Sequence, residues 1–382
     1  MKRIILLCLT MAAAILLLIN FSCSKSSPGS TGSNNSTVGK DTILLNIGNN
    51  IVLPSYQSLA TAVNSLDFAI DDFNTSPNST KLSNVQALFK TAYTAWQSAS
   101  EYDYFGPAYD AEPTLSGINI FPTSTTLIES NVSSNNDNLN TFANTAAKGF
   151  PALDYLLFNT DNTTLLTDYT TDAEATNRQK YLAAVSADIK AEVTNVLNGW
   201  LPSGGNYINT FINGTGNSVS SSLGLLVNSM DQDFEILKND RLGIPLGLIP
   251  VGSSLPLAPT DVEAYYSGIS NQLALAQLEA VEGIYLGTAA QGNGLGLINY
   301  LQQAEQQKNL KYNGGLLSDT IKNDFTVAVA KLQAIPNPLS TNLGNVNAVG
   351  AFNECQLLVT LLKTDMPSDL MVSINYGDND GD

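Results

Sequence analysis

Asp154 poses the chemical question in this chain. It is a carboxylate inside the otherwise apolar stretch KGFPALDYLLFN, residues 148–159. Gly149 and Pro151 sit where the first turn of a helix tolerates them, and Ala152, Tyr155, Leu156 and Phe158 follow at helical spacing. There is no histidine anywhere to work with that acid. A Ser-His-Asp triad, a Cys-His pair, a His-ligated zinc site and a His-Glu-x-x-His protease are therefore all excluded. Any chemistry must run on carboxylates, tyrosines, amides, lysine or arginine. Asp154 also has a purely structural reading. In the first turn of a helix an acid complements the dipole, typically by about 0.3–1 kcal/mol.

Other groups of chemical interest are weaker signals. Residues 100–124 interleave Tyr102, Tyr104 and Tyr109 with Asp103, Asp110 and Glu112. Such a loop could give phenolates to iron or stack on a glycan or peptide, but loop packing is the favoured expectation. Trp96 ends a helical stripe and is expected in the core. The run 243–247, GIPLG, lacks the Lys-Ser/Thr of a phosphate loop and reads as a rigid turn. Asp378, Asp380 and Asp382 alternate near the end of the sequence, without the loop of about 12 residues and closing glutamate of an EF-hand, and read as a solvated tail. Of the three cysteines, Cys8 and Cys23 lie in the N-terminal segment, leaving Cys355 as a small buried apolar residue with no disulfide partner.

The elements that must position these residues are helical. Apolar stripes at steps of three and four run through residues 51–74, 79–99, 174–200, 218–238, 260–286, 316–335 and 344–365. The best strand candidate is 370–376. The fold class expected is all-α, two helical-bundle domains packed with a cleft between them. Pro202, Gly204 and Gly205 mark the break, giving a first bundle over 46–203 and a second over 204–382 with the acidic tail. The irregular segments 100–124 and 239–259 are long enough to be functional or covering loops.

The N-terminus has Lys2 and Arg3, then an apolar run of about 16 residues, shorter than the roughly 20 of a membrane span. It reads as a lipoprotein signal peptide, 1–22, with Cys23 the lipidated residue, so the membrane is an expected partner through a lipid anchor. A flexible Ser/Gly/Asn-rich tether is expected over 23–45. The expected location is the bacterial cell envelope, on the periplasmic side or the cell surface. The chain carries 17 basic and 34 acidic residues for a net charge of −17, which argues against nucleic acid and suits cations.

Four stretches together resemble the imelysin-like family of bacterial envelope proteins: AYTAWQSASEYDYFGP at 92–107, KGFPALDYLLFN at 148–159, DFEILKNDRLGIPLG at 233–247 and VEAYYSGIS at 262–270, the last opening the next helix. The resemblance implies two helix bundles with a functional cleft, an envelope location, and a role as a peptidase or in iron acquisition. The family hallmark is Gly-x-His-x-x-Glu, in which carboxylate and imidazole lie one helical turn apart on one face. Here Gly149 is kept, Pro151 replaces the histidine and Asp154 the glutamate. A His-dependent peptidase mechanism cannot be carried over. The resemblance implies a ligand-binding set of Trp96, Glu101, Gly149, Pro151, Asp154, Glu235, Lys238, Arg241, Glu263 and Ser267. Its acids Glu101, Asp154, Glu235 and Glu263 could form an oxygen-ligand site for Fe³⁺ or Ca²⁺. The competing expectation is a structural polar network in which Lys238 and Arg241 neutralise the acids. Binding a metal or nutrient for uptake is thus set against a carboxylate-dependent hydrolase and against a module for another envelope protein.

Overall fold

The computed structural model describes residues 38–375 apart from 112–114, 217, 251–255 and 290–291. The expected signal peptide, Cys23, the beginning of the tether, Glu112 and the acidic tail with Asp378, Asp380 and Asp382 lie outside the described residues.

Periodicity does become helix. Helix α1 (Leu53–Thr75) continues from a π-helical turn, Ile47–Val52, with Pro54 next to the junction, and buries Tyr56, Leu59, Val63, Leu66, Ile70 and Phe73. Helix α2 (Ser79–Gln97) is capped by Asn78, which accepts from the Lys81 amide. Helices α3 (Gly149–Phe158) and α4 (Ala175–Trp200) complete the earlier layer: α1 packs on α2 and α4, and α3 lies against both α2 and α4. The later layer is α5 (Ser222–Ile236), α6 (Ser270–Leu286), α7 (Leu317–Gln333) and α8 (Val346–Thr360), with α7 packed on α6 and α8. Helix α6 also packs on α2, and one hydrophobic cluster runs through both layers. Residues from Val38 on form one compact unit. No helix among the described residues is long and apolar enough to cross a membrane.

Four local expectations are corrected. The chain turns helical at Lys40, inside the expected tether, because Ile43, Leu44 and Ile47 form an apolar stripe that is buried. Residues 371–375 are not a strand. Their polar backbone is satisfied by a side chain instead: Asn228 Nδ2 donates to the Ser373 carbonyl and Asn228 Oδ1 accepts from the Asn375 amide. The only described strands are the two-residue pair Thr288–Ala289 and Gly292–Asn293. Residues 261–269 do not open α6, because Ala264 and Gly268 adopt positive φ and a helix cannot pass through them. Helix α5 passes into a π-helical stretch, Leu237–Gly243, where a loop was expected to begin; such stretches often mark functional sites.

Candidate functional site

The polar residues singled out from the sequence gather along the seam where segments before residue 203 meet segments after it. Asp154 answers its own question here. It is the sixth residue of α3, past the first turn, so the helix-dipole reading is corrected. Its carboxylate reaches across the seam, Oδ2 accepting from the Tyr266 amide at 2.8 Å and Oδ1 from the Ser267 amide at 3.0 Å. Burial pushes its pKa up to about 6, with the Glu263 charge adding to the rise, while the bonds from residues 266 and 267 oppose it. Pro151 occupies a place in α3 where an N–H has no intrahelical acceptor. Pro151 and Asp154 line a cavity of about 260 Å³ with Phe121, Pro122, Tyr265 and Tyr266. Gly149 has φ +77°, and an added Cβ would lie 2.1 Å from the Ile118 carbonyl oxygen, so the start of α3 requires glycine.

The other acids are separately engaged. Glu235 pairs with Lys238 at 2.9 Å and Lys363 at 3.2 Å, and accepts from Asn239. Glu263 pairs with Arg241 at 3.1 Å and accepts from Gln97 Nε2 at 3.1 Å and Asn119 Nδ2 at 2.8 Å. The π-helical stretch brings Arg241 to Gln97 and Gln277, whose side-chain oxygens both accept from its Nη1. Gln277 in turn donates to Asp233. Glu101 is fully buried beside Asp233. Burial raises its pKa far above the usual range, the Asp233 carboxylate and their mutual hydrogen bond raise it further, and Arg241 opposes. A protonated Glu101 is able to donate to Asp233.

These positions do not fit a metal. Among the described residues no group of three or more acids or cysteines is disposed to hold one. Glu235 and Glu263 are already tied to cations, and Asp154 to two amides. Lys238 pairs with Glu235 and Arg241 with Glu263, while Asp154 and Glu101 pair with neither cation. The tyrosines also part company: Tyr102 is buried, Tyr104 lines a cavity with Asp103, and Tyr109 is exposed.

That cavity is bordered by unmet polar groups. It holds about 240 Å³ and is lined by Trp96, Ser100, Asp103, Tyr104, Asn119, Phe121, Asp233, Asp240 and Arg241, among others. Both Asp103 carboxylate oxygens and the Trp96 Nε1 lack a hydrogen-bond partner, although Asp103 is only 4% and Trp96 only 2% exposed. Burial, then the charges of Asp233 and Glu192, push the Asp103 pKa well up. Burial also raises that of Asp240, against Arg241. Trp96, expected as core, is both core and cavity wall. The sequence reading did not single out Asp233, Gln97 and Gln277. For Gln277 a signal existed: it interrupts the apolar stripe Leu273, Ala274, Leu278, Val281 at a core position.

A family model described as Imelysin matches residues 52–364. The chain belongs to the imelysin family. Two solved structures share the fold. A protein described as an iron-regulated protein A precursor, from Parabacteroides distasonis ATCC 8503, is 17% identical with a TM-score of 0.68, covering 88% of this chain and 97% of that one. An imelysin-like protein from Psychrobacter arcticum 273-4 is 18% identical with a TM-score of 0.64, covering the same shares. No functionally curated protein matches. Within this imelysin-family chain, Pro151 supplies neither donor nor acceptor through its side chain.

Proposed function

We propose that this imelysin-family protein captures a small ligand at the bacterial envelope, anchored by lipid at Cys23, as a step in iron or other nutrient acquisition and without catalysing a reaction. The observation that carries the reading is the 240 Å³ cavity bordered by an unpaired, buried Asp103 and an unpaired Trp96 Nε1. A buried polar group without a partner costs about 1–3 kcal/mol, more when charged, and a ligand that satisfies it recovers that energy. The iron-regulated name of one structural neighbour supports the nutrient side of the reading. To test it, the protein is purified from its own envelope, denatured, and assayed by mass spectrometry for a stoichiometric small molecule. Asp103→Ala and Trp96→Phe are expected to lose that molecule while the fold persists. A wild-type preparation free of any small molecule, with neither variant changed in behaviour, sinks the reading.

A second reading, a carboxylate-dependent hydrolase, is favoured by the adjacency of Glu101 and Asp233, since such a catalyst needs two neighbouring acids. Glu101, however, is fully buried. Turnover of a peptide library that disappears in Asp233→Asn would replace the binding reading with this one.

A further inference from the structure

We infer that the cavity beside Asp103 takes a small organic ammonium ion. The inference rests on the ligand-binding reading of the same cavity and names the class of ligand.

Charge is the first argument. Asp103, Asp233 and Asp240 line the cavity, and the only basic side chain among its lining residues is Arg241, which is already faced by Glu263. An anion entering would meet carboxylates with no spare cation. A neutral molecule would leave Asp103 as a neutral buried carboxyl, whereas an ammonium pairs with the ionised carboxylate and offsets the cost of burying it.

Geometry is the second argument, and it separates an ammonium from a metal. Hard metal ions draw several oxygens to within about 2.0–2.6 Å of one point. Among the described residues no three acids are so disposed. An ammonium carries three donors that reach acceptors at hydrogen-bond distance in different directions, so it tolerates spread carboxylates. The Asp103 oxygens, which have no other donor, are the natural acceptors.

The walls supply the third argument. Trp96, Tyr104 and Phe121 line the same space. Aromatic faces attract organic ammonium ions, and more strongly where water is excluded. The unpaired Trp96 Nε1 is a donor, so the ligand is expected to carry an acceptor such as a hydroxyl beside its ammonium. The volume is below the roughly 300–1,000 Å³ of sites for drug-sized ligands, which limits the occupant to a few heavy atoms.

The experiment is isothermal titration and thermal denaturation of the full chain in detergent at neutral pH and low salt. The probes are 4-amino-1-butanol and putrescine, the neutral isostere 1,4-butanediol, and Ca²⁺ and Fe³⁺ as citrate. The amines are expected to bind with one molecule per chain and raise the melting temperature, the diol at least about 30-fold more weakly. Asp103→Asn is expected to lose at least about tenfold in amine affinity, yet to melt no lower than wild type without ligand, because the buried carboxyl it replaces has no partner to lose. A residue needed only for folding would do the opposite. If the diol binds as well as the amines, or a metal ion binds through Asp103 and the amines do not, the ammonium inference falls while the ligand-binding reading stands. If no probe binds, or amine affinity is unchanged in Asp103→Asn, the inference is overturned.

Discussion

Asp154 holds two opposing energies that one experiment can separate. Its carboxylate grips the amides of Tyr266 and Ser267, yet burial moves its pKa from 3.8 to about 6. At about 1.4 kcal/mol per pH unit, that displacement corresponds to about 3 kcal/mol between the two protonation states. The folded chain binds this proton more tightly than the unfolded chain. The stability it contributes is therefore fully present below about pH 4 and is lost as pH rises through about 6. Asp154→Asn removes the titration and nearly keeps the shape. An amide offers one acceptor oxygen where the carboxylate offered two, so one backbone N–H loses its partner, at about 1–3 kcal/mol independent of pH. Urea unfolding of both proteins between about pH 4 and about pH 8 gives their stability difference at each pH. The wild-type advantage is expected to shrink by about 3 kcal/mol across that range. A difference that stays flat, or grows with pH, would mean that the folded carboxylate is already ionised at about pH 4, and the balance of burial against hydrogen bonding argued here would be wrong.

Gly149→Ala forces a Cβ into the Ile118 carbonyl at a left-handed residue and should cost about 2–5 kcal/mol in thermal or urea unfolding; an unchanged melting temperature would show that residue 118 yields freely. Arg241→Met strands Glu263, and a loss of about 3–5 kcal/mol is expected, partly restored when Glu263→Gln is added. A double-mutant cycle in which the two changes simply add would contradict that coupling. Asn228→Ala releases the backbone of residues 373 and 375, so amide exchange at Asn375 should accelerate while exchange in α1 does not. Cys355 is fully buried with its thiol pushed up to about 12, so a thiol reagent at about pH 8 should label it only after unfolding; labelling of the native chain would refute its burial.

The helices were legible in the sequence because their stripes carry a period that packing obeys: α1, α2, α4, α7 and α8 lie within a few residues of their expected spans. What misled was any segment whose shape is set by a distant side chain. Residues 261–269 look helical by composition, but Asp154 holds the amides of two of them from the far side of the seam. Residues 371–375 look like a strand because they expose an extended backbone, and Asn228 satisfies it. At the site, residue type was readable and pairing only in part. Lys238 and Arg241 were visible as possible counter-charges, and Lys238 stands three residues after Glu235 in an expected helix, a readable pair, but nothing in the sequence assigns Arg241 to Glu263. Asp103, in a loop of tyrosines and acids, gave no sign that it would lack a donor.

The difference between Glu101 and Asp103 decides where a ligand acts. Both are buried carboxylates without a donor in their surroundings, and both are pushed toward the neutral form. Glu101 lies within hydrogen-bond reach of Asp233, so by holding a proton it becomes a donor and closes its own deficit. That solution makes Glu101 part of the scaffold. Asp103 feels Asp233 and Glu192 only as charges and borders open volume. If it holds a proton it still has no acceptor for it, and if it is ionised it has no cation. The surrounding network spends its basic groups on Glu235 and Glu263 and two amides on Asp154. Asp103 is left as the carboxylate whose deficit only something entering the cavity can meet.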